Sequence, residues 1–167
     1  MGTKIFNGRY TAGSSEEDFV VFIIGMRINQ IFAISKWFPV AKAMGPMIKE
    51  LYQNPQWGFR HTEVLYSWRT ITLIQYWKGF DELLSYAHGN THSMAWKAYN
   101  KKINNNGSVG IFHETYKIEK GSSESIYNNM PKIGLAKAFS HLPVSKNKDS
   151  ASKRMAPRSF EKREEGE

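Results

Sequence analysis

The sequence contains no cysteine among its 167 residues. That excludes disulfides, thiolate zinc sites, iron–sulfur clusters and a cysteine nucleophile. Long apolar runs are missing as well. The longest, Phe19 to Ile24, reaches Met26 only across Gly25, and Arg27 then interrupts it. A membrane-spanning helix needs about 20 apolar residues, so no membrane partner is expected. The opening segment MGTKIFNGRYTAGSSEED lacks the apolar stretch of a signal peptide, which makes a cytoplasmic location the default expectation. Acidic charge is scarce: 23 basic side chains face 15 acidic ones, for a net charge of +8. The excess is dispersed, and in the folded part only Lys101 and Lys102 are adjacent. Without a basic stripe or a helix-turn-helix, zinc-finger or RNA-binding signature, no nucleic-acid partner is expected. There is no G-x-G-x-x-G and no Walker A motif, hence no sign of a nucleotide cofactor.

What the chain has in quantity is aromatic residues: ten Phe, eight Tyr and five Trp. Its apolar share, about 44% when Gly is counted and Tyr omitted, supports one packed domain. The first 18 residues, rich in Gly, Ser and Thr, read as a flexible N-terminal arm. FVVFIIGM (19–26) is β-branched and aromatic, as a strand covered on both faces would be. Trp37, Val40, Ala41, Met44, Met47, Ile48 and Leu51 recur at helical spacing, with Ser35 the expected N-cap. Gly45-Pro46 is expected to kink or break that helix. Glu63–Ser67 and Thr70–Trp77 form a tight strand pair, and Ile71, Leu73, Gln75 and Trp77 share one face of the second strand. Phe80–Ala87 is a short helix and His92–Ile103 a further one. Val109–Ile118 is the fourth strand, and a weak helical segment follows near Leu135–Phe139. Residues 145–167 carry too little apolar surface to order and are expected to be a disordered tail.

The order β-α-β-β-α-β, with its second helical region in two pieces, is the ferredoxin-like split βαβ pattern. An α+β domain over residues 19–144 follows, with a four-stranded antiparallel sheet and helices on one side. The first strand is apolar on both sides, so the second face of the sheet needs a cover. A homodimer with two sheets facing each other as a barrel would supply one.

The segments FVVFIIGMRIN, KWFPVAKAMGPMIKELYQNPQWGF, TLIQYWKGFDELLSYA and HSMAWKAYNKKINNNGSVGIFHETYKI resemble the small bacterial and fungal proteins of the DUF4188 family. That family is grouped with a fumagillin-pathway monooxygenase and with dimeric α+β barrels of the antibiotic-biosynthesis monooxygenase type. The resemblance covers about Phe19 to Phe139, and its most specific blocks are QYWKGFDELLSYA and GIFHETY. It implies the dimeric barrel and oxidation of a small hydrophobic molecule.

His113 and Glu114 lie on a strand whose faces alternate, so one of the two points toward an apolar layer. A charge buried there must be paired, with Arg27 or a tyrosine hydroxyl as partner, or must shift its pKa. His113 is the candidate general base, with Glu114 a second catalytic candidate. His92 is the third, at a helix start four residues before Trp96; in related barrels such a histidine can be the axial ligand of a haem. Trp37, Tyr76, Trp77, Trp96 and Tyr99, with Arg27 and Asn104, are candidates for a hydrophobic-ligand pocket, core packing being the competing role for each aromatic. No HExxH and no two-His-one-carboxylate spacing is present; His88 and His92 are four apart, the helical spacing for two ligands, but Gly89-Asn90 between them speaks against a continuous helix, and no metal is expected. These features suit a cofactor-independent oxygenase, in which the protein deprotonates an electron-rich substrate that then reacts with dioxygen directly. The alternatives are a haem-binding barrel, of dehydratase or haem-degrading type, and a non-catalytic dimer that binds a small ligand.

Overall fold

The structure is a computed structural model that describes residues 3–89 and 107–155. Its centre is a four-stranded antiparallel sheet built from β2 (Phe19–Ile28), β3 (Phe59–Tyr66), β4 (Thr70–Trp77) and β5 (Val109–Ile118), in the order β3-β4-β2-β5. This is the strand order of a ferredoxin-like α+β fold. Apolar β2 and β4 occupy the middle, where both edges of each strand are paired.

Helix α1 (Ile34–Gln53) crosses one face of the sheet, and α2 (Phe80–Ala87) packs beside its end. The N-cap of α1 is Ala33 rather than Ser35, and the helix continues through Pro39 and Pro46. Both prolines are exposed. The carbonyls they leave unbonded, one turn earlier, therefore face water, and the expected break at Gly45-Pro46 does not occur.

Side chains of β2 at even positions face the helices. They fall into two core clusters. One joins Val20, Leu51, Phe59, Trp77 and Leu83, with Phe22, Phe80 and Tyr86 packed against it. The other joins Met26 and Val109 to Trp37, Val40, Ala41, Met44, Ile71 and Ile111. Trp77 is completely buried.

Residues 6–12, expected as part of an arm, form strand β1 (Phe6–Ala12). It pairs on one edge with β6 (Tyr127–Met130) and on the other with β7 (His141–Pro143). The signal was weak because these strands are short and polar, and their partners are remote in sequence. The short helix α3 (Leu135–Ala138), near the segment expected to be helical, lies between β6 and β7. This C-terminal unit docks on the sheet face away from α1: the ring of Phe139 packs on Phe19 at 5.0 Å, and the Arg60 guanidinium lies 4.4 Å from the Phe139 ring centre. Part of the expected tail is also ordered against the domain. Arg154, in helix α4 (Ala151–Arg154), is buried and pairs with Glu124 at 2.8 Å. Among the described residues no helix is long and apolar enough to cross a membrane.

Candidate functional site

The register of the sheet sets side chains on the helix-facing side in rows. Phe22 of β2 stands between Gln75 of β4 and Thr115 of β5, and Gln75 in turn faces Thr62 of β3. One step along, Ile24 stands between Leu73 and His113. The row of Ile24 falls between the two core clusters, since Phe22 belongs to one and Met26 to the other. Phe22 and Ile24 are only half-buried. The result is an apolar floor with polar groups on both sides: Gln75 and Thr62 on one, His113 and Thr115 on the other. A mostly apolar floor with a few convergent polar groups is the usual makeup of a small-molecule site.

His113 is exposed, and its ring centre lies 5.7 Å from that of Phe22. Neither of its ring nitrogens has a hydrogen-bond partner among the described residues, so both are open to a ligand. Glu114 points to the opposite face, where the Tyr116 hydroxyl donates to its carboxylate at 2.6 Å. That hydrogen bond and the carboxylate's charge push the Tyr116 phenol up. Of the partners the sequence offered Glu114, the structure supplies the tyrosine hydroxyl. His113 and Glu114 are therefore separated by the sheet.

The aromatic candidates also separate. Trp77 lies on the helix side and Tyr76 on the other, with its hydroxyl near Gly134. Burial, then the neighbouring Tyr127 and Glu63, push Tyr76 up to about 12, so it stays protonated. Trp37 donates its indole N–H to the Ile31 carbonyl at 2.9 Å and packs in the Met26 cluster, which fixes the loop before α1. Arg27 is exposed at the end of β2, on the face away from the helices, opposite Thr70 and Gly110. His92, Trp96, Tyr99 and Asn104 lie outside the described residues.

A second polar centre sits on edge strand β3. His61 is buried, and both its nitrogens are engaged: Nδ1 lies 2.7 Å from the Tyr52 hydroxyl and Nε2 lies 2.9 Å from Glu63 Oε1. The Thr62 amide donates to the same Tyr52 hydroxyl at 3.2 Å. A carboxylate can only accept, so Nε2 carries a proton toward Glu63. Glu63 Oε1 also accepts from the Gly134 amide at 2.8 Å and lies 3.4 Å from Lys137 Nζ. Burial pushes the Glu63 carboxyl up, but the Gly134, His61 and Lys137 donors outweigh it and hold the group below its usual range. This centre ties the C-terminal unit to the sheet. Neither Gln75 nor the His61–Glu63 pair was marked by a motif. The available signals were a lone glutamine on an apolar strand face and a His-x-Glu alternation on one face of a strand.

Among the described residues no three His, Asp or Glu side chains converge in a way that could hold a metal ion.

Residues 19–135 match the model of the monooxygenase af470-like family. The chain is 37% identical over 79 residues to "Monooxygenase af470" of Aspergillus fumigatus, a match that covers 47% of this chain and 27% of that protein. The chain thus spans little more than a quarter of the length of that relative. Among solved structures, an aldoxime dehydratase in complex with butyraldoxime is similar at a TM-score of 0.65 and 13% identity, over 86% of this chain and 42% of that one. SnoaB, a cofactor-independent oxygenase from Streptomyces nogalater, aligns at a TM-score of 0.44 and 13% identity, over 59% of this chain and 91% of that one.

Proposed function

The chain belongs to the monooxygenase af470-like family, and from that premise we propose that it is a monooxygenase-like enzyme acting on a small, electron-rich hydrophobic molecule without metal or organic cofactor. The observation that carries this reading is His113, with both nitrogens uncommitted, beside the half-buried Phe22–Ile24 floor. The substrate lies flat on that floor. His113 removes a proton from its activated carbon or hydroxyl. The resulting carbanion or phenolate reacts with dioxygen, and the proton returns to the peroxide. Loss of water from a hydroperoxide at a methylene carbon leaves a ketone or quinone, so one oxygen atom enters the product and the other leaves as water. The protein supplies the base and the orientation.

Oxygen uptake with a panel of phenols and anthrones tests this reading. Turnover is expected with the native protein and its loss with a folded His113→Ala. If uptake is unchanged in that variant, the reading fails. The competing haem reading rests on His92. It predicts a Soret band at stoichiometric haemin that disappears in His92→Ala, whereas the cofactor-free reading predicts turnover with no haemin present.

We further propose that a second copy covers the part of the sheet face away from the helices that the C-terminal unit leaves open. Leu65, Phe112 and Tyr116 are exposed there, and Val21, Ile23 and Ile74 are half-buried. The Phe112 ring lies so close over Gly25 that a Cβ at that position would sit 2.5 Å from it, which keeps this strip flat. Sedimentation at micromolar concentration is expected to give a dimer, and a monomer would overturn the proposal. If no substrate is turned over but one raises the melting temperature, the chain is a binding protein rather than an enzyme.

A further inference from the structure

Gln75 is a polar side chain in the most buried layer of the molecule. It is 5% exposed and stands next to Phe22 on the helix-facing side of the sheet. Its carbonyl oxygen accepts the indole N–H of the fully buried Trp77 at 3.0 Å. An indole nitrogen only donates, so chemistry fixes the orientation of the amide: the oxygen faces Trp77 and the NH2 group faces away. That NH2 has no hydrogen-bond partner among the described residues.

Gln75 and His113 flank the same floor from opposite sides. One strand, β2, separates them, and their rows differ by one two-residue step. Strand spacings of about 4.8 Å and a two-residue rise of about 6.8 Å put their Cα atoms about 12 Å apart on the diagonal. That span suits a substrate of one or two rings with oxygen at both ends and a hydrogen bond of about 2.8 Å at each.

Building on the reading of His113 as base, we propose that Gln75 is the substrate-positioning donor. Its amide N–H groups bind the carbonyl or phenolate oxygen at the far end of a conjugated substrate from the group that His113 deprotonates. The negative charge released by deprotonation spreads through the ring system to that oxygen, where the amide stabilises it. The substrate class is thereby narrowed to conjugated phenols and oxo-aromatics with an acceptor oxygen opposite the acidic hydrogen.

The probe is 4-nitrophenol, which ionises visibly and carries its phenolate charge onto the oxygens across the ring. Bound to the native protein it is expected to ionise at lower pH than when free. Gln75→Glu keeps an acceptor for Trp77 but removes both donors. It is expected to raise the ionisation midpoint by about one pH unit, a tenfold loss of phenolate binding. Gln75→Met, which keeps neither acceptor nor donor, is expected to give the same shift and serves if the glutamate variant does not fold. If both folded variants bind and ionise the probe as the native protein does, Gln75 serves only Trp77 and the inference is overturned. If His113→Ala titrates like the native protein while the Gln75 variants lose the shift, the base assignment falls and the donor stands. If the native protein shifts the probe not at all, both fall.

Discussion

His113 and His61 sit on the two edge strands of one sheet and have opposite surroundings. His61 is buried, with both nitrogens held, one by Tyr52 and one by Glu63. His113 is exposed, touches the Phe22 ring and has no polar partner among the described residues. A histidine whose two nitrogens are both hydrogen-bonded within the fold must give up a partner before it can serve a ligand. One with free nitrogens beside an apolar floor can take a proton from a ligand at little structural cost. Partner count, more than burial alone, separates a fastening from a reagent.

The largest expected effect tests the reagent. His113→Ala is expected to lower oxygen uptake by about 10²–10⁴-fold, the usual worth of a positioned general base. Its stability should stay within about 0.5 kcal/mol of native, as for most exposed positions. Urea unfolding alongside the activity assay checks both halves, and a large stability loss would erase the contrast between the two histidines.

The next effect tests the fastening. Glu63→Ala removes the acceptor shared by His61, Gly134 and Lys137 and is expected to destabilise the fold by about 2–3 kcal/mol. Turnover per folded molecule should hold. Native-state hydrogen exchange should show the 127–143 segment opening first.

The same carboxylate makes stability depend on pH. The Glu63 group is held below its unfolded value of 4.5 in the folded protein. Its contribution is therefore complete above that value and lost as pH falls through the lower, folded value. Denaturation series at stepped pH are expected to show native stability falling in this acid window. Glu63→Gln should show a shallower slope there, and equal slopes would dismiss Glu63 as the source.

The smallest effect belongs to Tyr52→Phe. It removes one hydroxyl and leaves His61 Nδ1 and the Thr62 amide without that partner. Because Tyr52 is half-exposed, water replaces part of the loss, and about 1 kcal/mol is expected, with turnover unchanged.

The sheet and the described helices α1 and α2 were legible because periodicity reports burial directly. The alternation of Ile71, Leu73, Gln75 and Trp77 and the three-and-four spacing from Trp37 to Leu51 both encode which side chains meet the core. The unit of β1, β6 and β7 was not legible. Its strands are short and polar, and it is held by contacts such as the Ala12 amide on Ser125 and Gly8 on Asn129, which leave no local pattern. At the site, alternation placed His113 and Glu114 on opposite faces but did not say which face carried the floor. The register across β2 and the position of α1 answer that. Gln75 was visible on the correct strand face. Its orientation follows from the Trp77 indole, which only three-dimensional contact reveals.

The partners of β1 have a consequence for how the molecule assembles. The Gly8 amide binds a side chain 121 residues further along the chain. Closing so long a loop costs entropy before any contact repays it, and contacts of high sequence separation slow folding. During synthesis β1 emerges before its partners and waits unpaired until residues 127–143 have left the exit tunnel. Its polar alternation, Asn7, Arg9 and Thr11, then has a second use: it keeps a solitary strand soluble through synthesis, when a more apolar one would seek another chain.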